Sequence, residues 1–212
     1  MAREWLLGGV DRMRVGILSQ YRSETVWDDL GVESRPIAVY AGLHGVGQGL
    51  DQLLAAAEKL RDEQLRFVLV GDGPEKAMLV DAARRRGLRN VTFLEPQPRE
   101  AMPALLASAD IAVVALKGDI PGAVPSKLYE AMASGLPVVL VATGEPAVIL
   151  ASAQAGVAVE PGDIDGLAEA LRRLSHSKEK RVRLGAAGRV AAVEGFDRRP
   201  LCDQFIEVLG GA

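Results

Sequence analysis

The feature that most constrains the fold of this chain is a regular alternation of short apolar, β-branched segments with helical segments, which begins at Ile37. The apolar segments predict six strands, at residues 37–41, 66–70, 91–94, 111–115, 137–141 and 156–159. Between the first two, leucines recur at helical spacing, at positions 50, 53, 54 and 60. Such alternation is typical of βαβ units. We therefore predict an α/β fold: a Rossmann-like, doubly wound parallel sheet of about six strands with helices on both faces.

The same alternation divides the chain into three parts. Residues 36–176 carry all the predicted strands and are expected to form one Rossmann-like domain. Residues 1–35 show no strand–helix repeat and are interpreted as a linker between domains or an N-terminal extension. Residues 177–212 are helical in pattern, with breaks near Gly195 and Pro200. These last helices are expected to pack on the domain or to reach toward another one.

Composition argues against several classes of protein. The net charge of −3 is nearly balanced, which argues against a nucleic-acid partner, and the arginine triplet at 84–86 fits a solvated helix end. The single cysteine, Cys202, cannot form an internal disulfide. The sequence has neither an apolar run of membrane-spanning length nor the features of a secretory signal at its start. We predict a cytoplasmic protein, at most peripherally associated with the inner face of a membrane.

Parallel sheets bind ligands beyond the carboxyl ends of their strands, so the loops that leave each strand are the most informative. The first loop, residues 42–49, is glycine-rich and contains Gly45, Gly47 and Gln48. It could direct backbone N–H groups and a helix N-terminus toward a phosphate. It lacks the Gly-Lys-Ser/Thr ending of a Walker loop, and Leu50 stands where a dinucleotide loop has a third small residue. A simple tight turn is the alternative.

Two further loops are weaker candidates. Residues 71–76 follow the second strand and are expected to start a helix with Pro74 at its first position, which leaves Lys76 free to reach a phosphate or to stay solvated. Residues 117–124 follow the fourth strand and contain glycine and proline. That loop could close over a ligand as a lid, and an ordinary surface loop is the equal alternative.

The segment at 125–137, PSKLYEAMASGLP, gives the strongest signal. Ser126 and Lys127 come four and three residues before Glu130, so the three side chains share one face of the first helical turns. A lysine in a first turn is repelled by the positive end of the helix dipole, at a cost of roughly 0.3–1 kcal/mol. With a diphosphate bound, the lysine and the helix end would both attract the anion. Glu130 lies about one turn, roughly 5 Å, further along, where a carboxylate could accept ribose hydroxyls. The alternative is that Glu130 only complements the dipole.

Other catalytic patterns are missing from the sequence. It contains neither a Gly-x-Ser-x-Gly elbow nor a paired His and Cys spacing, and its histidines are His44 and His176. His44 alone is more often structural than catalytic. Asp163 and Asp165 form an Asp-x-Asp that resembles a metal motif, but Asp163 is better interpreted as a helix N-cap. No metal site and no catalytic residue are assigned.

Four segments together resemble the C-terminal, donor-binding domain of the group 1 retaining glycosyltransferases, which have the two-domain GT-B fold: GDGPEKAML, NVTFLEP, ASADIAVVAL and, above all, PSKLYEAMASGLPVV. The resemblance covers nearly the whole chain. The first loop is similar to that of the bacterial surface-polysaccharide transferases, which also reads Gly-x-His-Gly followed by Gln-Gly. The opening GGVD resembles their interdomain linker.

The resemblance implies that this domain holds a nucleotide-diphospho-sugar, linked to UDP or GDP, and that Glu130 binds the ribose. The expected donor-binding residues are Gly45, Gly47, Gln48, Lys76, Ser126, Lys127 and Glu130. Gly122 stands where many members carry a glutamate for the donor sugar. Leu43 and Gln48 stand near the places of an arginine and a lysine that bind the diphosphate. Lys127 is therefore expected to take over the neutralisation of the phosphates.

The implied activity is transfer of a sugar, with retention, to a glycan or lipid-linked acceptor in surface-polysaccharide synthesis, without a tightly bound metal or cofactor. The acceptor site would lie on an N-terminal domain or a partner chain, so the isolated chain is expected to be inactive. Three alternatives stay open: half of a nucleotide-sugar epimerase, a non-catalytic donor-binding subunit and, on fold alone, a dehydrogenase.

Overall fold

A computed structural model describes residues 36–118 and 123–196, together with Trp27 and Val32. Its strands are β1 (Ile37–Ala41), β2 (Arg66–Val70), β3 (Val91–Leu94), β4 (Ile111–Ala115), β5 (Val138–Val141) and β6 (Gly156–Val159). They form one parallel sheet in the order β3-β2-β1-β4-β5-β6. The predicted doubly wound sheet is confirmed. Only β5 starts one residue later than predicted, although the Pro137 carbonyl still accepts a hydrogen bond from Ala112 N–H.

Seven α-helices connect or follow the strands in the described part of the chain. They are α1 (Asp51–Lys59), α2 (Lys76–Arg85), α3 (Met102–Ser108), α4 (Ser126–Ala133), α5 (Glu145–Ser152), α6 (Ile164–Ser175) and α7 (Lys178–Gly195). A single 3-10 turn, Val46–Gln48, precedes α1. Asp163 accepts a hydrogen bond from the Gly166 N–H at 2.8 Å and so caps α6, which confirms its interpretation as an N-cap.

The helices cover both faces of the sheet because strand side chains alternate in direction. On β1, Ala38 and Tyr40 face one core with α1, α2 and α6, whereas Ile37 and Val39 face a second core with α3, α4, α5 and α7. Each of these four strand residues is at most 1% exposed. Burial on both faces explains why the strands have continuous apolar sequences.

Helix α7 packs on the Rossmann-like domain through its glycines. A Cβ on Gly185 would lie 2.0 Å from the Gly135 carbonyl oxygen, which shows how closely α7 approaches the turn after α4. At its end, the Phe196 ring lies 4.8 Å from the ring of Tyr129. Residues 197–212, and those of 1–35 other than Trp27 and Val32, lie outside the described residues.

The order in which strands are added to the sheet reverses between β1 and β4, and this switch point positions the site. In a doubly wound sheet, the loops that leave the two central strands run to opposite sides and open a crevice at their carboxyl ends. Here the loops after β1 and β2 are joined: His44 N–H donates to the Asp72 carbonyl at 2.8 Å, and Glu75 N–H donates to the His44 carbonyl at 2.9 Å. A Cβ on Gly71 would lie 2.0 Å from the Gly42 carbonyl oxygen, so this joint requires glycine.

Candidate functional site

A cavity of about 520 Å³ lies at the carboxyl ends of β1, β2 and β3, against the N-terminus of α4. Its lining residues are Ala41, Gly42, Leu43, Val70, Gly71, Asp72, Pro96, Gln97, Arg99, Met102, Ser126, Lys127 and Glu130. The cavity is at the edge of the sheet where open α/β folds bind their ligands, and its volume is in the range of small-molecule sites.

The N-terminus of α4 gives this cavity its positive end. Pro125 precedes the helix in an extended conformation, without a side-chain cap, and the first turn has no acidic residue. Helix α1, by contrast, carries Asp51 in its first turn. An N-terminus with unpaired N–H groups and no internal anion is suited to bind an external one.

Lys127 lies in the first turn of α4 and is held at the floor of the cavity. Its Nζ donates a hydrogen bond to the Tyr40 hydroxyl at 2.6 Å. Among the described residues, no carboxylate forms an ion pair with Nζ, and Glu130 acts on it through its charge alone. Burial lowers the pKa of Lys127 from 10.5 to about 8, against a partial upward effect of Glu130. Within the described ranges, the site therefore contains a cation without a close anionic partner.

Glu130 lies one helical turn further into the same cavity. Burial raises the pKa of its carboxyl group, whereas Lys127, a hydrogen bond from Ser126 and the positive charge of Arg99 act in the opposite direction. The carboxyl group thus lies near two positive charges and one hydroxyl donor, and its oxygens can accept hydrogen bonds from a ligand. Sequence reasoning missed Arg99. Its signal was its place in the loop after β3, at the same edge of the sheet.

The structure brings Ser126, Lys127 and Glu130 together in one cavity. The glycine-rich loop contributes less than expected, because Gly45, Gly47 and Gln48 are not among the residues that line it. The N–H group of Gln48 already donates to the Gly45 carbonyl at 3.1 Å. Gly49 then turns the chain in a left-handed conformation before α1 begins. In this structure the loop presents Gly42 and Leu43, rather than its later glycines, to the cavity.

Lys76 is not free, contrary to the expectation from the sequence. Helix α2 begins at Lys76, two residues after Pro74, so Pro74 is not its first residue. The Lys76 Nζ lies 2.8 Å from Glu95 Oε1, and its side chain is only 14% exposed. Glu95 follows the neighbouring strand β3 and attracts the lysine across the strand ends. Paired in this way, Lys76 is not among the residues that line the cavity.

The remaining candidates have structural surroundings or lie outside the description. His44 is fully buried, with its ring near those of Tyr40 and Phe93. Burial and the charges of Lys76 and Lys127 lower the pKa of His44, which favours the neutral ring. Residues 119–122 of the lid candidate, including Gly122, lie outside the described residues. No group of three metal-binding side chains occurs in the described ranges.

The burial of Lys127 makes the stability of the protein depend on pH. The folded lysine loses its proton near pH 8, whereas in the unfolded chain it does so near its ordinary pKa of 10.5. Between these values the unfolded state binds more protons, so stability rises with pH by up to about 3 kcal/mol. We expect urea unfolding to show this rise in the parent chain and not in Lys127→Met. Parallel pH curves for the two chains would contradict it.

Comparison with known proteins identifies the family. The model of the family described as glycosyl transferases group 1 matches residues 25–191. A relative in Escherichia coli strain K12, WcaI, is named as a colanic acid biosynthesis glycosyl transferase. It is 35% identical over an alignment that covers 84% of this chain and 44% of that protein. The sulfoquinovosyl transferase SQD2 of Arabidopsis thaliana is 30% identical over 80% of this chain and 32% of its own length. The chain thus spans less than half of these relatives.

Solved structures share the fold. Alr3699/HepE of Anabaena, in complex with UDP, has a TM-score of 0.79 and 21% identity, covering 98% of this chain and 55% of that one. WaaG, a glycosyltransferase involved in lipopolysaccharide biosynthesis, has a TM-score of 0.77 and 22% identity, covering 96% and 55%. The Rossmann-like sheet therefore matches part of the GT-B glycosyltransferase fold. With its sequence matched over residues 25–191, the chain belongs to the glycosyl transferases of group 1.

Proposed function

We propose that this chain is the donor-binding domain of a glycosyltransferase and holds the nucleoside diphosphate of an activated sugar in the cavity beside α4. One observation carries the proposal: the uncapped N-terminus of α4, the buried Lys127 and the carboxylate of Glu130 converge in a single cavity of about 520 Å³. A diphosphate and a ribose are the ligand groups that this order of charges fits.

The described residues suit the chemistry of the leaving group. Transfer of a sugar releases a nucleoside diphosphate, on which negative charge develops as the glycosidic bond breaks. The α4 N-terminus and Lys127 would stabilise that charge without a tightly bound metal. On donor binding, Ser126 would turn its one hydroxyl hydrogen from Glu130 to a phosphate oxygen, and Glu130 would then accept the ribose hydroxyls. Retention at the anomeric carbon is part of the proposal and rests on the family resemblance.

The proposal assigns acceptor binding to another domain or a partner chain. This chain spans 44% of WcaI and 32% of SQD2, so more than half of each relative has no counterpart here. The glycan or lipid-linked acceptor, and the inactivity of this chain alone, belong to the same proposal. A cytoplasmic location, free or at the inner face of a membrane, also belongs to the proposal. Over the described ranges, no helix has the length and apolarity to cross a membrane.

The relatives support a nucleotide-sugar donor and leave two bases as candidates. HepE has been crystallised with UDP-glucose, and it has 22% identity to this chain. A mannosyltransferase of Mycolicibacterium smegmatis, 28% identical over an alignment that covers 99% of this chain, is named as GDP-mannose-dependent. We therefore propose a donor linked to UDP or GDP.

Calorimetric titration of the purified chain with UDP, GDP and NAD tests the proposal. We expect weak binding of at least one nucleoside diphosphate and none of NAD, because the cavity offers one ribose carboxylate beside one helix end, whereas the diphosphate of NAD carries a second nucleoside that these residues do not match. Transfer from UDP-glucose or GDP-mannose is expected to be undetectable with the chain alone. Tighter binding of NAD than of UDP and GDP would favour a dehydrogenase. Measurable transfer would contradict the inactivity of the isolated chain.

A further inference from the structure

We propose that Tyr40 is a positioning residue for the donor diphosphate, because it holds the ammonium group of Lys127 at the floor of the cavity. This inference rests on the proposed function and deepens it. Tyr40 is 1% exposed and does not line the cavity, so it would act through Lys127 rather than by contact with the donor.

A chain of two hydrogen bonds carries the inference. The Tyr40 hydroxyl donates its hydrogen to the Leu43 carbonyl at 2.7 Å. Because that hydrogen is already used, the hydroxyl oxygen can only accept from Lys127, whose Nζ lies 2.6 Å away. An ammonium group has three N–H bonds, so this contact leaves two of them for a ligand. The tyrosine thus fixes the lysine without neutralising it.

The backbone at Gly42 is shaped for the same contact. A Cβ at this position would lie 2.3 Å from the Lys127 Cε and 2.6 Å from its Nζ, and the residue has a φ of +138°. The lysine side chain therefore passes directly over Gly42 to reach the hydroxyl. The end of one strand therefore supplies the hydroxyl of Tyr40, the Leu43 carbonyl that orients it and, at Gly42, the space for the lysine side chain.

The charges around Lys127 do not replace this contact. Glu130 faces it from its own helix and favours the charged form, while burial disfavours it. His44 lies on the loop after β1, and Asp72 and Arg99 line the same cavity from the loops after β2 and β3. Among the described residues, Tyr40 is the group within hydrogen-bonding distance of Nζ. Loss of the Tyr40 hydroxyl should therefore destabilise the ammonium form of Lys127 and leave its Nζ without a fixed position.

The test compares Tyr40→Phe with Tyr129→Phe, the same chemical change on α4 at a tyrosine whose ring packs on Phe196. Calorimetry with UDP from pH 6 to 9 reports affinity. Nuclear magnetic resonance of ¹³Cε-labelled lysine in the ligand-free chain, assigned with Lys127→Met, reports the protonation of Lys127.

For Tyr40→Phe we expect UDP to bind about tenfold more weakly at pH 7.5, as for one lost hydrogen bond to a charged group. The pH midpoint of binding and the Lys127 titration should both move to lower pH.

The outcomes separate the inference from the proposed function. Tyr129→Phe should match the parent in both measurements. If the parent binds UDP or GDP but Tyr40→Phe leaves the pH midpoint and the lysine titration unchanged, the inference is wrong and the proposed function stands. A general loss of affinity with both pH profiles unchanged would also overturn it, since a purely structural role predicts that result. If the parent binds neither nucleotide, both proposals fall.

Discussion

Replacement of Glu130 by glutamine is expected to weaken the binding of UDP by about 3 kcal/mol, roughly a hundredfold, if UDP is the donor nucleotide. A carboxylate can accept both vicinal hydroxyls of a ribose in charge-assisted hydrogen bonds, whereas an amide offers one neutral oxygen. Folding should tolerate the change, because burial raises the pKa of Glu130 and so disfavours its charged form. Calorimetry at neutral pH, with GDP titrated in parallel, measures the effect.

Two controls make the role of Glu130 specific. Glu160→Gln removes an exposed carboxylate between β6 and α6 and should bind UDP as the parent does. On the ligand side, UDP without its 2′- and 3′-hydroxyls should bind the parent weakly and should lose nothing further in Glu130→Gln. If the dideoxy nucleotide bound the parent as tightly as UDP, Glu130 would not be the ribose-binding residue.

Replacement of Lys127 by methionine is expected to weaken UDP binding by a similar factor, and only for ligands that carry phosphate. The substitution keeps an unbranched side chain over Gly42 but removes the cation that the Tyr40 hydroxyl holds in the cavity. A charge-assisted contact to a diphosphate in a partly buried site contributes about 2–3 kcal/mol. We therefore expect UDP to bind about 50-fold more weakly, while uridine, which has no phosphate, binds as before.

A second lysine variant and the pH dependence of UDP affinity test whether the charge of Lys127 is responsible. Lys59→Met removes a lysine of α1 whose Nζ pairs with Asp165 at 2.8 Å on the surface, and it should leave UDP affinity unchanged. Affinity of the parent should fall as pH rises through about 8, where Lys127 loses its proton, and this fall should be absent from Lys127→Met. Equal affinities for UDP in Lys127→Met and the parent would rule out the lysine as a phosphate ligand.

The strands were predictable because local sequence determines them. Buried parallel strands need apolar side chains on both faces, so each appears as a short β-branched run, as in the IAVYA of β1. The shared face of Ser126, Lys127 and Glu130 was equally predictable, since helical spacing within one turn needs no tertiary information. The cap at Asp163 follows the same rule, because its partner is the N–H group of Gly166, three residues away.

The contacts between loops were not predictable. Lys76 was expected to be free, but Glu95 binds it, and the two residues come from segments that only the pairing of β2 with β3 brings together. Arg99 and Tyr40 were missed for the same reason. Arg99 acts on Glu130 and Tyr40 binds Lys127, and both partners lie on α4, more than twenty residues further along the chain. Sequence patterns describe neighbours along the chain, whereas these neighbours are fixed by the strand order.

By itself, the sequence determined a doubly wound α/β fold and the helix turn that carries Ser126, Lys127 and Glu130, because periodicity and short-range spacing specify both. Tertiary structure alone decided which loop meets that turn. It placed Gly42 and the Tyr40 hydroxyl under Lys127, kept the later glycines out of the cavity lining, and paired Lys76 with Glu95. The physical reason is that burial and the closest contact of a charge depend on residues distant in sequence, which only the packed sheet brings within hydrogen-bonding distance.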